Sequence, residues 1–115
     1  EPGPWTDWQL EMAKRYDRDE KTANSHNYAC GMMAAQIAVE AIRRAREAGQ
    51  EVTRENLYEI LNNMNGDKAF ESLAAVGPVT YSAEDHMGVD RVQLYVVENG
   101  VFQSVGEPFK PQYMK

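Results

Sequence analysis

Residues 28–45, YACGMMAAQIAVEAIRRA, form the stretch that decides the fold. Apolar side chains cover nearly the whole circumference of this segment, and the main interruptions are Gln36 and Glu40. A helix that is apolar on all sides is usually buried. The run ends in arginines, which suit the negative end of a helix dipole, and Gly49 offers a left-handed stop. We therefore predict a buried helix from Tyr28 to Ala45.

Two further helices are predicted, one on each side of this segment. Before it, apolar residues recur at helical spacing at Trp5, Trp8, Met12 and Tyr16. After it, Thr53 is placed to cap a helix whose apolar face consists of Leu57, Ile60, Leu61 and Met64, and which ends at Asn65-Gly66. The polar stretch from Asp17 to Asn27 has neither helical nor strand periodicity, so we predict a connecting loop there.

The last third of the chain carries the strand patterns. Val76 to Tyr81 is typical of a strand, with Pro78 near its start, where a missing N–H is tolerated. Apolar and polar residues then alternate from Val92 to Val97, and Asn99-Gly100 makes a tight turn into Val101 to Val105. This second pattern predicts a β-hairpin.

Helices come before strands, which indicates an α+β fold if the chain is taken alone. Two or three short strands make only a small sheet, whereas the helix from Tyr28 needs cover on most of its circumference. We therefore expect a partner for this helix, either more chain or another subunit.

Composition limits the functions that are open to the chain. Its 115 residues, 43% of them hydrophobic, suit one modest core, and a net charge of −6 argues against a nucleic-acid partner. No apolar run is long enough to span a bilayer, and no leader-like segment is present. The opening Glu1-Pro2-Gly3-Pro4, without an initiator methionine, is expected of a processed product or a fragment.

Two clusters could carry chemistry, and each has a simpler explanation. Glu84-Asp85-His86 places carboxylates beside an imidazole, but a polar turn before Gly88 explains it better. His26 and Cys30 would share a helix face, yet two ligands do not complete a zinc site, and we favour a small buried cysteine.

No phosphate-binding loop, nucleophile elbow or paired-cysteine motif occurs in the chain. The methionines at helical spacing are read as core residues and not as an adaptable binding surface. We therefore predict no enzymatic activity, no cofactor and no metal site.

Three blocks of sequence, in order, carry a family resemblance. The first is NYACG at 27–31 with VEAIRRA at 39–45, and the second is VTRENL at 52–57. The third is GPVTYS at 77–82, followed by Asp85-His86, Gly88, VQLYVV at 92–97 and NGVF at 99–102. Together they resemble the closing third of type I periplasmic binding proteins of the branched-chain amino acid, amide and aromatic-compound uptake group.

The resemblance implies an α/β fold of two lobes joined by crossovers, of which this chain would be a C-terminal fragment. Residues 1–16 would be a helix of the second lobe, 28–64 the helices of the first lobe, and 76–105 the hinge strands and hairpin. It also implies the ligand-binding component of a periplasmic ABC importer, which captures a branched-chain amino acid, amide or aromatic acid without a cofactor. The expected partners are the solute, a membrane permease, and the remaining lobes or a second copy.

The same resemblance places a ligand-contacting crossover just before the helix from Tyr28. Ala23 stands where some relatives have an aromatic contact, and Asn24, Ser25 and His26 could present polar groups at a helix start, where N–H donors favour a carboxylate. A helix cap in a loop is the alternative for this segment. Two alternatives to transport also remain open: a ligand-sensing domain of the same fold and a small self-standing interaction module.

Overall fold

The computed structural model describes residues 4–112 as four α-helices, one short 3-10 helix and two strands. Their bounds are α1 Pro4–Arg15, α2 Glu20–Ala23, α3 His26–Glu47, α4 Arg54–Asn62, the 3-10 turn Gly66–Lys68, β1 Val92–Glu98 and β2 Val101–Phe109. Helices plus an antiparallel hairpin are the architecture that the sequence predicts. The chain folds into a slab of 51 × 41 × 19 Å.

Local signals place the ends of the long helices. Ser25 Oγ accepts a hydrogen bond from the Tyr28 amide at 3.1 Å, and Thr53 Oγ1 accepts one from the Asn56 amide at 3.2 Å. These bonds satisfy amide groups that have no partner inside a helix. At the other end of α3, Gly49 has a φ of +68°, the left-handed conformation predicted for it. Helices α1, α3 and α4 occupy the three segments for which helices were predicted, so these predictions are confirmed.

The predicted loop from Asp17 to Asn27 contains a helix, so that prediction was wrong in part. Asp19 caps α2 by accepting a hydrogen bond from the Thr22 amide at 2.7 Å. The pattern of apolar residues could not reveal this helix, because four residues make barely one turn and cannot show a period.

The hairpin prediction is confirmed, with strands longer than expected. Asn99 and Gly100 both have positive φ values, 53° and 78°, as a two-residue turn that matches the twist of the strands requires. The register pairs Glu98 with Val101 and Val97 with Phe102, and an irregularity follows between Val92 and Leu94.

The strand predicted from Val76 to Tyr81 does not form as a regular strand. Val79 bridges Phe70, and Thr80 bridges Gly88, each as an isolated pair. A strand is defined by its ladder of partners, and in residues 4–112 this segment has one partner residue on each side. The extended backbone is therefore present without a sheet.

The core is small for a chain of this length. Its buried hydrophobic residues are Ala13, Ala23, Ala41, Ala45, Met64 and Val79, and only the last two of these have large side chains. The radius of gyration is 16.3 Å, against about 13 Å for a compact domain of this length. The accessible surface is 8683 Å², against about 6,300 Å² for a compact monomer of this mass.

Two apolar surfaces account for much of this exposure. Helix α3 was expected to be buried, but only its Ala41 and Ala45 are buried, and Val39 is 63% exposed. The hairpin has exposed side chains on both faces along most of its length. We expected α3 to need more cover than the chain supplies, and most of its residues are indeed not buried.

The methionines divide between core and surface, so the prediction that they are core residues holds only in part. Met64 is fully buried, Met32 and Met33 are half-buried, and Met87 is 49% exposed.

Helix α3 is joined to the segment after α4 by a charged cluster. Glu40 Oε1 lies 2.7 Å from Arg43 Nη2 and 2.6 Å from Arg44 Nε, and Arg44 Nη1 donates to the Lys68 carbonyl at 2.6 Å. The hydrogen bond from Arg43, with support from Arg44, lowers the pKa of Glu40 from 4.5 to about 2. Glu40 therefore carries its charge throughout the neutral range.

We expect Glu40→Gln to lower the free energy of unfolding by about 1–2 kcal/mol at neutral pH, because it weakens these charge-assisted bonds. The folded pKa lies below the unfolded one, so the contribution is complete above about pH 4.5 and is lost as the pH falls toward 2. Urea unfolding of the wild type and of Glu40→Gln should therefore show a difference in the free energy of unfolding that shrinks as the pH falls from 4.5 toward 2. Glu47→Gln is the control, because its side chain is 62% exposed and, within residues 4–112, bonds only Arg43. A difference that is independent of pH contradicts the prediction.

Candidate functional site

The predicted ligand-contacting residues lie at the junction of α2 and α3. Ala23 is buried at 4% exposure, and its carbonyl accepts a hydrogen bond from the Gln9 side-chain amide. Gln9 is itself a buried polar residue of α1. This contact ties the junction to α1, so the side chain of Ala23 faces protein and its carbonyl is already bonded.

Asn24 and Ser25 both use polar atoms within the junction. Asn24 Nδ2 donates to the Glu20 carbonyl at 3.0 Å, and Ser25 Oγ caps α3. The helix-cap alternative is therefore realised at Ser25. Asn24 is exposed and Ser25 is half-buried, so the side chain of Asn24 can also be reached from outside.

His26 begins α3 and meets Cys30 one turn later. The distance from His26 Nε2 to Cys30 Sγ is 3.3 Å, as their spacing on one helix face predicts. Cys30 is exposed, so the prediction of a buried cysteine was wrong. The reason is that this side of α3 has little protein against it. In residues 4–112 no third His, Cys, Asp or Glu joins this pair as a potential metal ligand.

A cavity of about 170 Å³ opens beside the start of α3. It is lined by Trp5, His26, Ala29, Cys30, Met33 and Ala74. The Trp5 and Trp8 rings of α1 lie 5.2 Å apart, centroid to centroid, and extend the apolar surface on this side. Of the four predicted residues, only His26 lines this cavity. Trp5 and Met33 also line it, although the sequence was interpreted as placing them in the core and not in a binding surface.

The cavity combines an apolar surface with the amino end of a long helix. Amide N–H groups at such an end favour a carboxylate, while Trp5 and Met33 favour an aliphatic or aromatic side chain. The cavity is about half open to solvent within residues 4–112. It can therefore form one wall of a solute site, and a complete enclosure would need further protein.

The cluster Glu84-Asp85-His86 forms the polar turn that was predicted. Ser82 Oγ accepts hydrogen bonds from the amides of Glu84 at 3.2 Å and Asp85 at 3.1 Å, and Asp85 Oδ1 accepts one from the Met87 amide. His86 Nε2 lies 3.0 Å from Asn62 Oδ1, at the end of α4. The turn thus holds His86 away from the α2–α3 junction and against a different helix.

The described helices include none that is both long and apolar enough to cross a membrane. No protein-family model matches the chain, and no curated protein matches it with significance.

Among solved structures, the chain is similar to a branched chain amino acid ABC transporter protein from Thermus thermophilus, crystallised with bound valine. The two share 34% sequence identity and superpose with a TM-score of 0.78. The match covers 97% of this chain and 31% of the other, so this chain spans about a third of the length of that protein.

Proposed function

We propose a solute-binding role on the premise that the chain has the fold of a segment of a type I periplasmic binding protein of the branched-chain amino acid type. In this proposal it is part of the ligand-binding component of an ABC importer. That component captures a small solute, with branched-chain amino acids as the first candidates, and delivers it to a membrane permease. It works in the periplasm, and it carries out no covalent chemistry and uses no cofactor.

The observation that carries the proposal is the similarity, along nearly the whole chain, to a protein that holds valine. The packing supports it, because an uncovered α3 and a hairpin exposed on both faces are expected of a segment whose neighbours lie elsewhere in a longer protein. We assign residues 1–16 to the second lobe, 28–64 to the first lobe, and 76–105 to the hinge and hairpin. The remaining lobes would close the cavity beside α3.

Within this proposal, His26 contributes to the solute site and Asn24 and Ser25 shape it. His26 and Ala29, both in the first turn of α3, line the cavity, so in this proposal a solute carboxylate lies beside the imidazole of His26 and close to the amino end of the helix. The apolar wall of Trp5 and Met33 suits a branched aliphatic side chain. Ala23 holds the junction against α1 through its carbonyl, which accepts the hydrogen bond from Gln9.

A chimaera tests the proposal. This chain replaces the segment of the Thermus thermophilus protein to which it is similar, and valine binding is measured by isothermal titration calorimetry. We expect the chimaera to bind valine with a Kd within about tenfold of the parent value, and the isolated chain to bind none. A folded chimaera that binds neither valine, leucine, acetamide nor benzoate would falsify the proposal.

Two variants of the chimaera locate the site. We expect His26→Ala to weaken valine binding by about fivefold to tenfold, because a hydrogen-bonding group beside the carboxylate is lost. Asn27→Ala is the matched control, because Asn27 is exposed in the same helical turn and does not line the cavity. Equal effects of the two substitutions would place the solute elsewhere.

A further inference from the structure

A second cavity, of about 210 Å³, lies between α3, α4 and the segment that follows Val79. It is lined by Ile37, Tyr58, Leu61, Asn62, Tyr81 and His86, so none of its residues lines the cavity beside the start of α3. Nearly all of its surface is carbon. Ile37 and Leu61 form its half-buried floor, and the two tyrosine rings form its walls.

The wall formed by Tyr81 is held in place by the backbone around it. The Tyr81 amide donates to the Met64 carbonyl at 2.8 Å, and the Tyr81 carbonyl accepts from Asn65 Nδ2 at 2.8 Å. The ring packs on Gly88, where a methyl group would lie only 2.8 Å from the Tyr81 hydroxyl oxygen. The side of the cavity formed by Tyr81 is thus fixed in advance, and this residue needs little ordering when a ligand enters.

His86 and Asn62 supply the few polar atoms of the cavity, and the two side chains contact each other. His86 Nε2 and Asn62 Oδ1 are 3.0 Å apart, and this bond joins the Ser82–Met87 turn to the end of α4. In the neutral imidazole, a proton on Nε2 leaves Nδ1 as an acceptor, and the Asn62 amide keeps its donor hydrogens. A ligand that combines a flat apolar body with one hydrogen-bonding group therefore matches the apolar and polar residues of the cavity.

We propose that this cavity is a binding site for a small planar aromatic molecule that carries one hydrogen-bonding substituent, of the phenol type. The ring lies between Tyr58 and Tyr81 on the aliphatic floor, where aromatic pairs and apolar contacts are both available. The substituent reaches His86 and Asn62. The volume of about 210 Å³ is sufficient for a single aromatic ring.

Titration of the full chain with 4-fluorophenol, followed by fluorine NMR, tests this site. We expect saturable binding with a Kd on the order of 1 mM, a value ordinary for so small a ligand. Tyr58→Ala should weaken it at least about fivefold, because one aromatic wall is lost. The control is Tyr16→Ala, because Tyr16 is 63% exposed, close to the 58% of Tyr58, and does not line the cavity. No saturable binding, or equal affinities for the wild type and Tyr58→Ala, overturns the proposal.

If Tyr58→Ala loses its helical circular dichroism signal, a second variant, His86→Ala, tests the site. His86 is exposed, so His86→Ala leaves the apolar floor intact. Wild type should prefer 4-fluorophenol over fluorobenzene by about threefold or more, and His86→Ala should abolish this preference. A preference that survives in His86→Ala overturns the assignment of His86 as a partner of the substituent. The outcome is independent of the solute-binding proposal, because the probe is measured on this chain without valine.

Discussion

Met64→Ala is expected to unfold most of the helical part of the chain. Met64 follows α4, is fully buried and, among the residues that the structure describes, is one of two large side chains in the core. Its backbone carbonyl also accepts the Tyr81 amide, so α4 and the extended segment meet at this residue. Truncating a buried methionine to alanine costs about 2–5 kcal/mol, because apolar contact is lost and a cavity remains.

The small core makes this cost unusually large in relative terms. Ordinary domains have about 5–15 kcal/mol of stability, and a chain whose other buried residues are mostly alanines lies toward the low end. Urea unfolding followed by circular dichroism measures the loss. Met87→Ala is the matched control, because Met87 is 49% exposed and its truncation should change the free energy of unfolding by less than about 0.5 kcal/mol. Equal losses in the two variants would mean that Met64 is not a core residue in solution.

The features that could be predicted from sequence are those whose causes are local. Thr53 caps α4 through an amide three residues away, and Asn99-Gly100 turns the hairpin through its own backbone angles. The apolar circumference of α3 could also be predicted, because it follows from the helical spacing of the residues alone. The resemblance to the binding-protein fold rests on the same kind of evidence, namely short blocks in a fixed order.

The features that could not be predicted depend on distant or absent partners. A strand needs a neighbour, and the segment from Val76 to Tyr81 finds only two single bridges. Cys30 is exposed, although the sequence predicted that it would be buried. The sequence identifies an apolar helix but does not show which of its sides other parts of the protein cover. The hydrogen bond from Gln9 to Ala23 spans 14 positions of the sequence, and the His86–Asn62 contact spans 24. No local sequence pattern predicts either contact. Both cavities depend on the packing of distant segments, so the sequence indicated Trp5 and Met33 only as core residues and not as neighbours of His26 in a cavity.

The second large effect expected is association of the isolated chain, which follows from its uncovered surfaces. Its accessible surface exceeds that of a compact monomer by about 2,300 Å², which is comparable to the area that each subunit loses in a large obligate interface. The hairpin contributes strongly, since Val97 is 59% and Phe102 64% exposed. A two-stranded sheet with apolar residues on both faces is only marginally stable alone, and its free edges pair readily with other chains.

We expect light scattering coupled to size exclusion to give a mass of at least a dimer at micromolar concentrations. The double variant Val97→Lys with Phe102→Glu should lower this toward the monomer mass of 13.0 kDa. These two residues lie directly opposite in the register, so the new opposite charges keep the hairpin paired while the apolar surface is lost. The control, Tyr16→Lys with Val52→Glu, changes exposed apolar residues outside the hairpin and should leave the mass unchanged. If the wild type instead runs as a monomer at every concentration, its apolar surfaces need no cover, and the self-standing interaction module becomes the better description of the chain.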